Sequence, residues 1–183
     1  MAYPESFYSH VQVNSKQVIL SREFCFESHQ DLNKTDLVLH HSPNASFLQR
    51  PIEGLSYLFT WVHRTHWTST DPGELYHMVE LLPELRSMMS PLAKTYAGVL
   101  ILQSYALIFI QRAEDLLYLK VMEVRSPNDL LYQLVNALQC CSLSVNNTPI
   151  LLTGEVQIES ALVIQLNRYF YSVQCLVGFT TNH

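Results

Sequence analysis

The chain has 183 residues, 48% of them hydrophobic and only 15% charged, with a formal charge of −5. This length and apolar content suffice for a sizeable core without disulfides or metals, which excludes disorder and a stapled mini-protein. The acidic balance offers no basic footprint for nucleic acid or an anionic membrane, and so low a charged content points to a surface partly covered by another protein.

In the first half, His10–Val13, Gln17–Leu20 and Glu23–Phe26 alternate around Asn14-Ser15-Lys16 and predict two or three strands. Asp36–His40 is a further strand candidate, and Ile52–Trp61 fits strand or helix equally. Asp71-Pro72-Gly73 reads as a turn. From 74 to 89, Leu75, Met78, Val79, Leu82 and Leu85 recur at helical spacing; Pro83 removes a backbone donor and predicts a kink or two short helices. Ser90-Pro91 ends this stretch and divides the chain, with 1–93 as one unit and 94–183 as the other.

The second half is more regular. Tyr96–Leu102 and Tyr105–Ile110 flank the polar pair Gln103-Ser104 and predict a tight hairpin, although no Asn-Gly or Gly-Gly marks the turn. Arg112–Asp115 is the next polar break, and Leu116–Val124 is a third antiparallel strand. The period then changes. Ser126-Pro127-Asn128-Asp129 is a helix start, with Ser at the cap, Pro at the first position and Asp three residues on. Leu130, Leu131, Leu134, Val135 and Leu138 form its buried stripe. Pro149–Val156 is a continuous apolar run, as a buried parallel strand requires. A second helix from about Glu159 carries Leu162, Val163, Leu166 and Phe170 on one side, and Ser172–Val177 is the last strand.

The order β-β-β-α-β-α-β predicts an α/β (α+β) fold: a ribonuclease-H-like mixed sheet over 94–183, three antiparallel strands feeding two right-handed crossovers. The segments SPNDLLYQLVNAL, PILLTGEV and ESALVIQLNRYFYSVQCL, with LYHMVELLPELRSMMSPLAKTYA before them, resemble a bacterial family of uncharacterised, degenerate relatives of the actin-like and pilus-assembly ATPases. The resemblance covers a little over half of the chain and rests on hydrophobic pattern with few fixed polar residues. It implies two related lobes, of which residues 1–93 would be an abridged or diverged first one, mostly β.

Working members of that superfamily hold phosphate at Asp-x-Gly turns between the first two strands of each lobe, where glycine lets backbone N–H groups approach and Asp positions Mg²⁺. Here the equivalent turns are Gln103-Ser104 and Asn14-Ser15-Lys16, with neither Asp nor Gly. No Walker or dinucleotide glycine motif is present. The remaining candidates for a nucleotide are Ser104 and the strand end Thr153-Gly154-Glu155, where ligands of α/β sheets tend to sit; the plainer reading of Gly154 is a tight strand-to-helix turn.

Other chemistry is sparse. His40-His41 point to opposite faces of a strand, and His63, His66 and His77 lack Cys or carboxylate partners at ligand spacing, so no metal site is expected. No serine elbow occurs, and the first three strands of the second half offer only Glu123 toward a two-metal nuclease site. Cys25, Cys140, Cys141 and Cys175 have no metal spacing, and without a secretory leader they read as reduced, buried thiols of a cytoplasmic protein. No apolar run is long enough to span a membrane. The aromatic block, with Trp61 and Trp67, and the pair Tyr169 and Tyr171 are core or interface candidates. The expected function is a non-catalytic protein-interaction or scaffold module without cofactor, pairing with a protein partner or a second copy. The alternative is an actin-like ATPase relative that binds ATP with Mg²⁺.

Overall fold

Apolar residues without a polar alternate mark a strand covered on both faces, and Thr95–Leu102 (β7) and Tyr105–Arg112 (β8) show what covers them. The computed structural model describes residues 9–13, 16–20, 24–28, 45–52, 57–64, 75–179 and 181–182. In β7, Ala97, Val99 and Ile101 join one hydrophobic cluster, while Tyr96, Leu100 and Leu102 join another on the opposite face. Ala106, Ile108 and Ile110 of β8 alternate with Tyr105, Leu107 and Phe109 in the same way.

These strands lie in a five-stranded sheet with Asp115–Glu123 (β9), Ile150–Gly154 (β10) and Val173–Cys175 (β11). The order is β11-β10-β7-β8-β9. The β7–β8–β9 pairs are antiparallel, and β10 runs parallel to both β7 and β11. The element sequence and the strand directions are those expected from the sequence. The edge strand β9 carries an irregularity opposite Ile110/Gln111, which bends the exposed edge and weakens it as a template for further pairing.

Pro127–Cys140 (α2) and Ala161–Tyr169 (α3) cover the first face through Leu130, Leu134, Ala137, Leu138, Val163 and Leu166. The Ser126 side chain accepts from Asp129 N–H while Asp129 accepts from Ser126 N–H, so the predicted capping box forms. Ser160 caps α3 by accepting from Val163 N–H. Gln133 of α2 is buried but satisfied, donating to the Tyr118 hydroxyl at 2.6 Å and accepting from Lys120 at 2.8 Å.

The other face meets Leu82–Met89 (α1) and a second sheet. That sheet has the order β12-β1-β2-β6, made of Thr181–Asn182 (β12), Ser9–Val13 (β1), Lys16–Leu20 (β2) and Leu75–His77 (β6). Val11, Val13, Val18, Ile19 and Leu20 share one core with Leu82, Leu85, Met89, Leu100 and Phe109. A third sheet, β3-β5-β4, pairs Phe24–Ser28 (β3), Tyr57–Arg64 (β5) and Ala45–Pro51 (β4). Ile52–Trp61 is thus resolved as strand over the part from Tyr57 onward. The Asp36–His40 strand and the Asp71-Pro72-Gly73 turn lie outside the described residues.

One expectation needs correction. The stretch read over 74–89 does form the two short helices expected from Pro83, a 3-10 helix over Met78–Leu81 and α1 over Leu82–Met89, but it starts late, because Leu75–His77 is a strand parallel to β2. Helical spacing alone gives no account of the competing partner: β2 supplies a strand edge at Gln17–Ile19. His77 then caps the turn by accepting from Val79 N–H at 3.2 Å, with Glu80 accepting from His77 N–H at 2.7 Å. Pro83 stands in the first turn of α1, where its missing N–H costs nothing.

Candidate functional site

The Gln103-Ser104 turn and the end of β10 meet at one corner of the five-stranded sheet. Gly154 pairs with Ile101, and Glu155 N–H donates to the Ile101 carbonyl at 2.8 Å. The Glu155 side chain then folds back, its Oε2 accepting from Gln103 N–H at 3.0 Å. Gln103 has φ +52°, so a non-glycine residue holds the left-handed position in this hairpin. Ser104 is exposed, and its carbonyl accepts from Val124 N–H at 2.6 Å. Thr153 is 1% exposed and donates from Oγ1 to the Leu176 carbonyl at 3.1 Å, a bond that ties β10 to the segment after β11.

All four residues expected near a nucleotide therefore gather at this corner, and three of them have evident local work. Thr153 locks the sheet edge, Gly154 takes a conformation closed to side chains, and Glu155 places a carboxylate on the hairpin N–H. A bound phosphate would need that same donor.

A second polar group sits at the opposite end of the sheet, about six residues or ~20 Å along β7 at strand rise. Tyr96 and Gln111 are directly opposed on β7 and β8, so their side chains emerge on one face. Both lie at an open surface cleft of about 720 Å³ beside α1, lined also by Arg86, Glu84, Ala113 and Glu114. Gln111 donates from Nε2 to the Ala113 carbonyl at 2.7 Å, and Arg86 donates to the Glu114 carbonyl at 3.0 Å. Sequence reasoning passed over this cluster because it ended β8 at Ile110. The available signal was a glutamine in phase with the inward-facing Leu107 and Phe109.

Burial pushes the Tyr96 hydroxyl up to about 12; the nearby Arg86 charge works against that rise and Glu114 adds to it. Between pH 10 and 12 the folded chain keeps a proton that the unfolded chain has lost, so stability falls as pH climbs through that window. Urea titrations at stepped pH check this: Tyr96→Phe is expected to fall less steeply than the parent above pH 10, and to match its slope below.

No three His, Cys, Asp or Glu side chains converge on a metal-sized site among the described residues. Cys140, Cys141 and Cys175 are free thiols, but none is fully buried, which corrects the expected burial: Cys141 and Cys175 are partly covered, and Cys140, at the last position of α2 and off the stripe that faces the sheet, is exposed. Burial raises Cys141 and Cys175 above the ordinary thiol range and so disfavours their thiolates. Of the aromatic candidates, Tyr169 is 58% and Tyr171 75% exposed, flanking the buried Phe170. Trp61 lies in β5 opposite Phe24 and Leu48, and Trp67 falls outside the described residues.

The fold is the actin-like ATPase (ribonuclease-H-like) class: a mixed sheet in the order above, with two helices on one face. Among solved structures, the chain is similar to a Bacteroides thetaiotaomicron protein described as having an actin-like ATPase fold and unknown function, with a TM-score of 0.69 and 14% identity. The match covers 85% of this chain, which spans 65% of that neighbour's length. At that identity the likeness speaks for the fold alone. No family model and no curated protein match the sequence. No helix among the described residues is long and apolar enough to cross a membrane.

Proposed function

We propose that this chain is a non-catalytic protein-interaction or scaffold module built on an actin-like fold, acting in the bacterial cytoplasm, with residues 1–93 as its abridged first lobe. The observation that carries this reading is the Glu155 carboxylate on Gln103 N–H. In phosphate-binding relatives the equivalent hairpin offers its donors to the nucleotide. Here a carboxylate takes one of them and repels a triphosphate, and the Gln103-Ser104 turn has no Gly to let its backbone approach a phosphate and no Asp to position Mg²⁺. Support for an interaction role comes from Tyr132 on α2, Ile164 on α3 and the Tyr169/Tyr171 pair, large apolar side chains exposed on the helical layer. A protein partner or a second copy of the chain would cover them.

A thermal-shift titration with Mg-ATP, run with light scattering in the same buffer, tests this. A ligand at 100 times its dissociation constant adds about 2.7 kcal/mol, or roughly 5–10 °C in a chain of this size. The expected result is no shift, together with a dimer or larger assembly. A shift of that order would favour the nucleotide-binding alternative and make Glu155 the first residue to replace.

A further inference from the structure

The shortage of charge in this chain falls largely on one face. Of its 11 basic and 16 acidic residues, only Asp129 and Arg168 stand in α2 and α3, and none lies between Leu130 and Gly154. Asp129 is engaged in the cap of α2, where its carboxylate accepts from Arg125 and Ser126 N–H. A helix that packs one side on a sheet ordinarily turns charged residues to water on the other. Here the exposed positions carry Tyr132, Ile164 and Tyr169 instead, with Tyr132 74% exposed.

The register of the two helices brings the tyrosines to one level. Strands β9, β10 and β11 run in the same direction, so the helices that return between them are parallel to each other. Gln165 of α3 donates from Nε2 to Asn128 Oδ1 of α2 and fixes their alignment. Tyr132 and Tyr169 each follow a residue of that bond by about one helical turn, so they leave their helices at the same height, one on each side of the seam. Tyr171 follows beyond the buried Phe170.

Charge decides what covers this face. A partner recognised by its charge would find only Arg168 to pair with. Two copies of this chain, each at −5, repel where their acidic surfaces meet, and that repulsion is least across α2 and α3. In a two-fold contact the same patch meets itself, so residues near the axis face their own kind. A carboxylate or an ammonium there would meet a like charge. A phenol and a carboxamide can each donate and accept, so each is its own complement.

We propose that α2 and α3 form a two-fold interface between two copies of this chain, with the Tyr132/Tyr169 seam near the axis and Arg168 at the rim. The proposal rests on the interaction-module reading and names its partner. Tyrosine suits the position because it supplies contact area at the centre of an interface while its hydroxyl stays hydrogen-bonded.

Sedimentation velocity on the full chain over a concentration series tests this, and the parent is expected to dimerise. The double variants Tyr132→Glu/Tyr169→Glu and Tyr132→Lys/Tyr169→Lys are each expected to weaken association by at least ~100-fold, because each sets like charges against each other across the axis. An equimolar mixture of the two is expected to dimerise again. Both positions are exposed, so the far-ultraviolet circular dichroism of each variant should match the parent's, which separates lost pairing from lost folding. A monomeric parent, an assembly that survives both pairs of substitutions, or a mixture that stays monomeric would overturn the inference. A monomeric parent that shows no Mg-ATP shift would still leave the interaction-module reading standing, with a different protein as partner. A dimer of the expected pattern that does shift with Mg-ATP would uphold the interface and overturn the non-catalytic reading instead.

Discussion

Gly154→Ala is expected to destabilise the chain by about 3–5 kcal/mol, a melting temperature lower by roughly 6–20 °C. Two causes add. Gly154 has φ +92°, a backbone conformation that a side chain strains to adopt. A Cβ there would also lie 2.1 Å from the Ile101 carbonyl oxygen, backbone that cannot swing aside. That oxygen accepts from Glu155 N–H, so moving it breaks the junction of β10 with β7 and with it the carboxylate contact on Gln103. Thermal and urea denaturation measure the loss. A change under about 1 kcal/mol would mean that the strand end does not turn as described.

Gly98 makes a different demand, and the difference is measurable. Its neighbour across the strand pair is Phe109, whose ring covers it: an added Cβ would meet two ring carbons at 2.2 and 2.3 Å and Met89 Sδ at 2.9 Å. The ring also packs edge-on against Tyr96, with centroids 5.9 Å apart. Phe109→Ala is expected to cost about 3–5 kcal/mol as a core cavity, and Gly98→Ala about 1–3 kcal/mol through overpacking. The obstruction at Gly98 is side chain alone, so a smaller neighbour relieves it. In a Phe109→Leu background, Gly98→Ala should cost about 1–2 kcal/mol less, a coupling that a double-mutant cycle on urea stability reads directly. At Gly154 no second substitution offers such relief, because the obstacle is a carbonyl.

The second half of the chain was legible for reasons that lie in its own residues. Strands β7, β8 and β10 are apolar on both faces, Ser126 to Asp129 announce α2 by a local hydrogen-bond exchange, and the stripe through Leu130, Leu134 and Leu138 has one period. Each signal depends on neighbours within a few positions. The hairpin at Gln103-Ser104 was found from its flanks alone, since its positive φ is held by glutamine where glycine or asparagine would have marked it. The candidate corner was legible in part: the strand end at Gly154 pointed to it, whereas the use of Glu155 as a partner for the hairpin did not show in the sequence.

What the sequence determined by itself, then, is the order of elements from Tyr96 to Cys175, because propensity, capping and periodicity there agree and no distant partner contradicts them. The tertiary structure decided what depends on who lies alongside. Leu75–His77 became a strand because β2 offered an edge, against a helical spacing that Met78, Val79, Leu82 and Leu85 share. Thr181–Asn182 pairs with β1, at the other end of the chain. Tyr96 and Gln111 came together only through the register of β7 on β8. Such pairings rest on backbone groups that every residue carries, so no local pattern in the sequence distinguishes the partner that wins.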